Sequence, residues 1–145
     1  MSICKISCTV GATDLVAKLA LEIWLDQTCL YNCQHINFKE QHLEFDLPNN
    51  DAEHELRFVM KNKTVEHTQV SDSGEILKDA CLIIKNIAFD GIVLDQIFVD
   101  QATYTHDFNG TKSPIVDKFY GEIGCNGTVS LKFITPMYLW LLDNL

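Results

Sequence analysis

The sequence contains very little positive charge. Arg57 is the single arginine, and 20 acidic side chains outnumber 11 basic ones, which gives a formal net charge of −9. Nucleic-acid binding depends on lysine and arginine side chains that neutralise phosphates. The charge balance therefore argues against nucleic acid and against anionic membrane surfaces as partners. It suits a soluble protein, a cation-binding protein or one with a basic partner.

Long apolar runs, export signals and catalytic motifs are also missing. No apolar run approaches the roughly 20 residues that span a bilayer, and residues 1–5 lack the basic segment and apolar core of a signal peptide. Nucleophile elbows, zinc-protease motifs, phosphate-binding loops and dinucleotide-binding glycine patterns do not occur. We therefore expect a protein that is not an enzyme, without a transmembrane segment or a signal peptide.

Six cysteines are present. Whether they form disulfides depends on whether the protein is exported to an oxidising compartment. Disulfides are typical of exported proteins, so the missing export signal favours free thiols. Two pairs with three intervening residues, Cys4/Cys8 and Cys29/Cys33, offer an alternative because zinc ligands use such spacing. The strand-like sequence around Cys4 and Cys8 favours buried, unligated cysteines instead.

Short segments of alternating polarity indicate the fold. Leu21, Ile23 and Leu25 alternate with polar residues, and the same pattern recurs at residues 42–47 and 55–61. Asp90-Gly91 stands between two apolar runs and predicts a hairpin. Seven to nine such strands at intervals of about 8–12 residues predict an all-β, antiparallel, jelly-roll-like β-sandwich. Without a Pro/Gly/Ser-rich linker, residues 1–145 are expected to form one domain.

Two apolar features leave alternatives open. Trp24 lies on the polar face of its strand, so it is either core in a sheet buried on both sides or an exposed aromatic platform. Near the end, Thr135 and Pro136 predict the N-cap and first residue of a short helix that is apolar nearly all round. That helix either docks on its own sheet or forms a protein–protein interface. The candidate interface residues are Tyr138, Trp140 and Leu141.

The segment 102–110 is predicted to be a polar, aromatic loop and carries the candidate ligand site. Aromatic rings stack on the apolar faces of sugars, and neighbouring polar groups bind the hydroxyls. Carboxylates at short spacing are ligands for calcium. The alternative is that these residues are strand ends and Asx-turns. The candidate ligand-binding residues are Tyr104, His106, Asp107 and Asn109, and the candidate calcium ligands are Asp95, Asp100 and Asp107.

The chain also resembles two groups of known proteins. The runs at 21–26, 53–58 and 82–87, within residues 19–95, resemble the strand order of small jelly-roll carbohydrate-binding modules, in some of which calcium bridges protein and sugar. Residues 63–145 look like uncharacterised proteins of large tailed marine cyanophages, which implies a bacterial host cytoplasm or a virion. The predicted function is a non-catalytic glycan-binding module, with or without calcium. The alternative is a virion structural or assembly protein that binds another virion protein through its apolar C-terminal segment.

Overall fold

The computed structural model describes residues 3–48 and 50–144, and it contains two antiparallel sheets that pack face to face. In the described residues, the first sheet has five strands: β1 (Ile3–Ala12), β4 (Gln41–Pro48), β8 (Leu82–Phe89), β9 (Ile92–Val93) and β12 (Glu122–Ile123). The second has six: β2 (Ala20–Leu25), β3 (Thr28–Cys33), β5 (Glu53–Lys61), β10 (Thr103–His106), β11 (Ile115–Lys118) and β13 (Gly127–Ile134). The remaining elements are a 3-10 helix (Val65–His67), a hairpin of β6 (Thr68–Val70) and β7 (Ile76–Asp79), α1 (Gln96–Gln101) and α2 (Met137–Asp143).

The strand orders are β12-β8-β1-β4, with β9 also on β8, and β11-β10-β13-β5-β2-β3. The core between the sheets follows the predicted alternation: Leu21, Ile23 and Leu25 of β2 are buried, and so are the residues paired with them on β5. Phe89 and Phe133 contact each other across the sheets, with ring centroids 5.2 Å apart. The prediction of an antiparallel β-sandwich with a short C-terminal helix is thereby confirmed.

The Asp90-Gly91 hairpin forms as predicted. Phe89 pairs with Ile92 across the turn, and both central residues have positive φ, 49° at Asp90 and 80° at Gly91. This is the turn geometry that matches the twist of an antiparallel pair. The Asp90 carboxylate also accepts a hydrogen bond from the Lys5 backbone N–H at 2.7 Å, which ties the turn to β1.

Two segments differ from the sequence-based expectation. Residues 97–99 were expected to continue the sheet but form α1, in which Phe98 is buried against the core. Segment 102–110 was expected to be a loop, yet its first half is β10, paired with β11 on one side and β13 on the other. Burial decides both cases, because packing against the core overrides local propensity.

Helix α2 docks on the chain's own core with one face. Met137, Trp140 and Leu141 are buried, and the Trp140 ring makes edge-on contacts with Phe89 and Phe133 at 6.4 and 6.2 Å. Pro136 is the N-cap rather than the first helical residue, because its own backbone is extended, with ψ 136°, and the helix begins at Met137. None of the helices in residues 3–48 and 50–144 has the length and apolar character to cross a bilayer.

Candidate functional site

One large aromatic side chain stands out on the surface: Tyr120 is 77% exposed. Its neighbour Phe119 is buried and packs edge-on against Phe98 and Tyr104, at centroid distances of 5.8 and 6.3 Å. Gly121 on the other side has φ 107°, a conformation that side-chain-bearing residues rarely adopt, and its carbonyl accepts the Ile84 N–H at 2.9 Å. Anchors on both sides therefore hold the Tyr120 ring out towards solvent.

A hollow of about 530 Å³ lies beside this ring, and we call it the Tyr120 hollow. Strand β11 supplies Asp117, whose backbone is in register with Tyr104, and strand β12 supplies Glu122. Glu122 is exposed because the next residue, Ile123, is fully buried and strand side chains alternate. The residues that line the hollow are Tyr104, Asp117, Lys118, Tyr120 and Glu122.

Tyr104 forms an apolar wall of the hollow rather than a polar contact. Its hydroxyl donates to the Cys125 carbonyl at 2.7 Å and accepts the Cys125 N–H at 2.8 Å. Burial raises the pKa of Tyr104 to about 12, so the phenol stays neutral at ordinary pH. Asp117, by contrast, has a largely exposed carboxylate, which lies 3.5 Å from His106 Nε2. The carboxylates therefore supply the polar surface that a ligand can reach.

The other predicted ligand-binding residues build the turn next to the hollow. The His106 ring lies between Tyr104 and Phe108, with centroids 4.5 and 4.7 Å away. Asp107 Oδ1 accepts the Gly110 N–H at 2.7 Å, and Asn109 Oδ1 accepts the Asn126 N–H at 2.8 Å. The first bond closes a local turn from a side chain to the backbone three residues on, whereas the second joins this turn to the residue before β13. Ligand contacts at His106, Asp107 and Asn109 stay a prediction, and of the four residues only Tyr104 lines the hollow.

The predicted calcium ligands are not brought together. Asp95 precedes α1, Asp100 lies within it and accepts the Gln96 side-chain amide at 2.9 Å, and Asp107 belongs to the turn after β10. Across the part of the chain that the structure describes, no group of three or more His, Cys, Asp or Glu side chains is arranged to hold a metal ion. The helix at 96–101, where a strand was expected, places these carboxylates differently from the strand-end cluster that the sequence suggested.

The zinc alternative fails on strand geometry. Cys4 and Cys8 lie four residues apart on the single strand β1, which separates them by about 13 Å at the usual rise per residue. Cys29 and Cys33 likewise lie four residues apart along one strand, β3, rather than on either side of a turn. All six cysteines are free thiols. Burial raises the pKa of Cys8 to about 12, which opposes the thiolate that zinc requires.

Trp24, the other candidate aromatic platform, is already engaged. Its side chain is half-buried, and the indole N–H donates to Glu22 at 2.9 Å. The Arg57 guanidinium lies 5.6 Å from the ring centroid. The outer face of the six-stranded sheet therefore offers no free ring at this position.

Tyr120 was not among the residues predicted from the sequence, although an aromatic residue directly before a glycine was a visible signal for an exposed turn.

The sequence and the fold can be compared with those of known proteins. No family model matches the sequence, and no curated protein matches it. The fold is similar to that of a calcium-dependent carbohydrate-binding module, the selenomethionine form of vCBM60. The TM-score is 0.53 at 10% sequence identity, over 88% of this chain and 89% of that one. This likeness supports the architectural resemblance noted from the sequence, whereas the cyanophage resemblance has no support among the comparisons.

Proposed function

We propose that this chain is a non-catalytic glycan-binding module and that the Tyr120 hollow is its binding site. The observation that carries the proposal is the exposed Tyr120 ring, held out beside the Asp117 and Glu122 side chains. Apolar C–H faces of a sugar stack on such a ring, while carboxylates accept hydrogen bonds from its hydroxyls. The carbohydrate-binding module of similar fold supports this choice of ligand class.

The remaining features of the hollow agree with a sugar ligand. Its volume of about 530 Å³ is within the range of small-molecule sites. Lys118 adds a hydrogen-bond donor beside the two carboxylate acceptors. The proposal does not depend on calcium, because two carboxylates and a ring can hold a sugar by themselves. Calcium is nevertheless a variable in the test, since the module of similar fold is calcium-dependent.

A glycan array probed with and without a calcium chelator tests the proposal. Tyr120→Ala is the decisive variant, and Tyr138→Ala is its matched control, because Tyr138 is also exposed but lies on α2. We expect the wild type and the control to bind the same glycans. Tyr120→Ala should bind at least ~10-fold more weakly, since covering an aromatic side chain contributes about 1.5–3 kcal/mol. Silence of the wild type in both conditions, or unchanged binding by Tyr120→Ala, would overturn the proposal.

One observation favours the alternative function of a structural or assembly protein. Helix α2 leaves three apolar side chains exposed: Tyr138, Leu139 and Leu142. Two of the predicted interface residues, Trp140 and Leu141, are instead buried in the chain's own core. Of the three predicted contacts, Tyr138 is therefore the one that a partner can reach, and a second copy of the chain is the simplest partner for this small apolar face.

A further inference from the structure

A second hollow adjoins the first at Tyr120. It encloses about 430 Å³, and Tyr120 lines both hollows. We call it the Gln96 hollow, after the α1 residue that lies opposite the β8–β9 hairpin. Its polar side chains come from Lys85, Asn86, Asp95 and Gln96, and Val93 adds an exposed apolar surface. The exposed ring therefore has mixed polar and apolar surface on both sides.

The backbone around the Gln96 hollow has an unusual conformation. Asn86 has φ 56°, and Asp95 has φ 44° with ψ −115°. Asparagine adopts positive φ more readily than most residues, whereas the combination of φ and ψ at Asp95 is sparsely populated and persists only where surrounding contacts impose it. Two contacts of this kind are present: the Leu94 N–H donates to the Ile87 carbonyl at 2.9 Å, and the Phe98 N–H donates to the Asp95 carbonyl at 3.2 Å. These bonds fix the backbone that carries Asp95 and Gln96 at the rim of the hollow.

The charges that line the two hollows are mainly negative. Three carboxylates line the hollows, those of Asp95, Asp117 and Glu122, together with two ammonium groups, those of Lys85 and Lys118. Lys85 is already paired with Glu40, which lies outside both hollows. The chain as a whole carries a net charge of −9. An anionic sugar such as a uronate would meet more carboxylates than ammonium groups on this surface, so its electrostatic interaction would be unfavourable on balance.

We propose that the two hollows form one groove that binds an internal stretch of an uncharged polysaccharide, with sugar units on both sides of the Tyr120 ring. This inference rests on the proposed function and names its substrate class. A single sugar fills one hollow, whereas a longer chain passes over the ring and reaches Gln96 and Asp95. These two residues then determine specificity on the far side of the ring, because their side chains bind hydroxyls that a shorter ligand does not present.

The test is a glycan array that holds neutral hexose and pentose oligosaccharides of one to six units, together with uronate oligomers of the same lengths. We expect affinity to rise from one unit to at least three and to be at least ~10-fold weaker for the uronates. Gln96→Ala should weaken binding of the longer neutral ligands about 5-fold, as loss of one hydrogen bond does, and leave single sugars unaffected. Gln101→Ala, exposed at the other end of α1, is the matched control.

The outcomes distinguish failure of the extended groove from failure of the proposed glycan-binding function. If single sugars bind as tightly as hexamers and Gln96→Ala changes nothing, the extended groove is wrong while glycan binding at Tyr120 stands. A preference for uronates overturns the charge argument in the same way. If no glycan binds the wild type at all, the proposed function itself falls. Gln96→Ala removes the side-chain bond to Asp100, but Gln96 is exposed and alanine favours the helix, so α1 should persist and these outcomes do not depend on a strained residue such as Asp95.

Discussion

At the residue scale, one buried charge depends on a single carboxylate. The Lys63 side chain is 1% exposed, and its ammonium donates to Asp79 and to the Gly124 carbonyl, both at 2.5 Å. The Thr68 hydroxyl donates to the same carboxylate at 2.7 Å. Burial alone would raise the pKa of Asp79, but the hydrogen bonds from Lys63 and Thr68 outweigh it and lower that pKa. This cluster attaches the β6–β7 hairpin to the sandwich.

Replacement of Asp79 by alanine should lower the free energy of unfolding by about 3–5 kcal/mol at pH 7, because it leaves the buried Lys63 ammonium without an opposite charge and with only the Gly124 carbonyl as acceptor. Asp72→Ala, in the exposed turn of the same hairpin, should stay within about 0.5 kcal/mol of the wild type. Urea unfolding measures both. Since the folded-state pKa of Asp79 is lowered, its stabilisation is complete above the unfolded value of about 3.9 and is lost as the pH falls through the folded value. The difference in free energy of unfolding between the wild type and Asp79→Ala should therefore become smaller below pH ~4. A difference that does not change with pH would contradict this account.

At the element scale, the strands were easier to predict than the helices. Apolar residues recur at every second position of β2 and β5 because one face of each strand is buried. This two-residue period was enough to predict both strands from the sequence. Helix α1 was missed because Ile97, Phe98 and Val99 are typical strand residues, and the backbone turn at Asp95 has no sequence signature. Helix α2 was found because Thr135-Pro136 marks a helix start, although the helix begins one residue later than expected.

Helix α2 should contribute to stability through its buried face only. Trp140→Ala removes a ring packed on Phe89 and Phe133 and should lower the free energy of unfolding by about 3–5 kcal/mol. Leu142→Ser changes an exposed side chain and should leave it within about 0.5 kcal/mol. Denaturant unfolding checks both values, and similar effects of the two variants would show that the helix is not docked as described. Sedimentation of Leu142→Ser beside the wild type reports whether the exposed face also joins two copies.

At the scale of the whole molecule, the candidate site joins segments that the sequence keeps apart. Asp117 comes from an edge strand of one sheet and Glu122 from an edge strand of the other, while Gln96 lies on helix α1. Which edges meet depends on sheet order, and polarity patterns carry no information about that order. The ligand class and a nearby segment, including Tyr104, could therefore be proposed from the sequence. The position of Tyr120 as the exposed ring at the centre could not.

At the same scale, the fold is stabilised by its core and not by disulfides. The rate at which each cysteine reacts with a thiol reagent tests this account. Cys4, Cys8 and Cys81 are buried, and burial raises their pKa values to about 11, 12 and 11, whereas Cys29 is exposed on the edge strand β3. Because only an accessible thiolate reacts quickly, iodoacetamide at pH ~7.5 should label Cys29 first in the folded protein and all six cysteines after unfolding.

Mass spectrometry counts the labels over time, and Cys29→Ser should remove the fastest phase. A reducing agent should leave the thermal midpoint unchanged, since all six cysteines are already free thiols. A midpoint that falls on reduction, or rapid labelling of Cys8 in the folded state, would mean that β1 is not held inside the sandwich. The packing of the two sheets, on which the position of Tyr120 depends, would then have to be reconsidered.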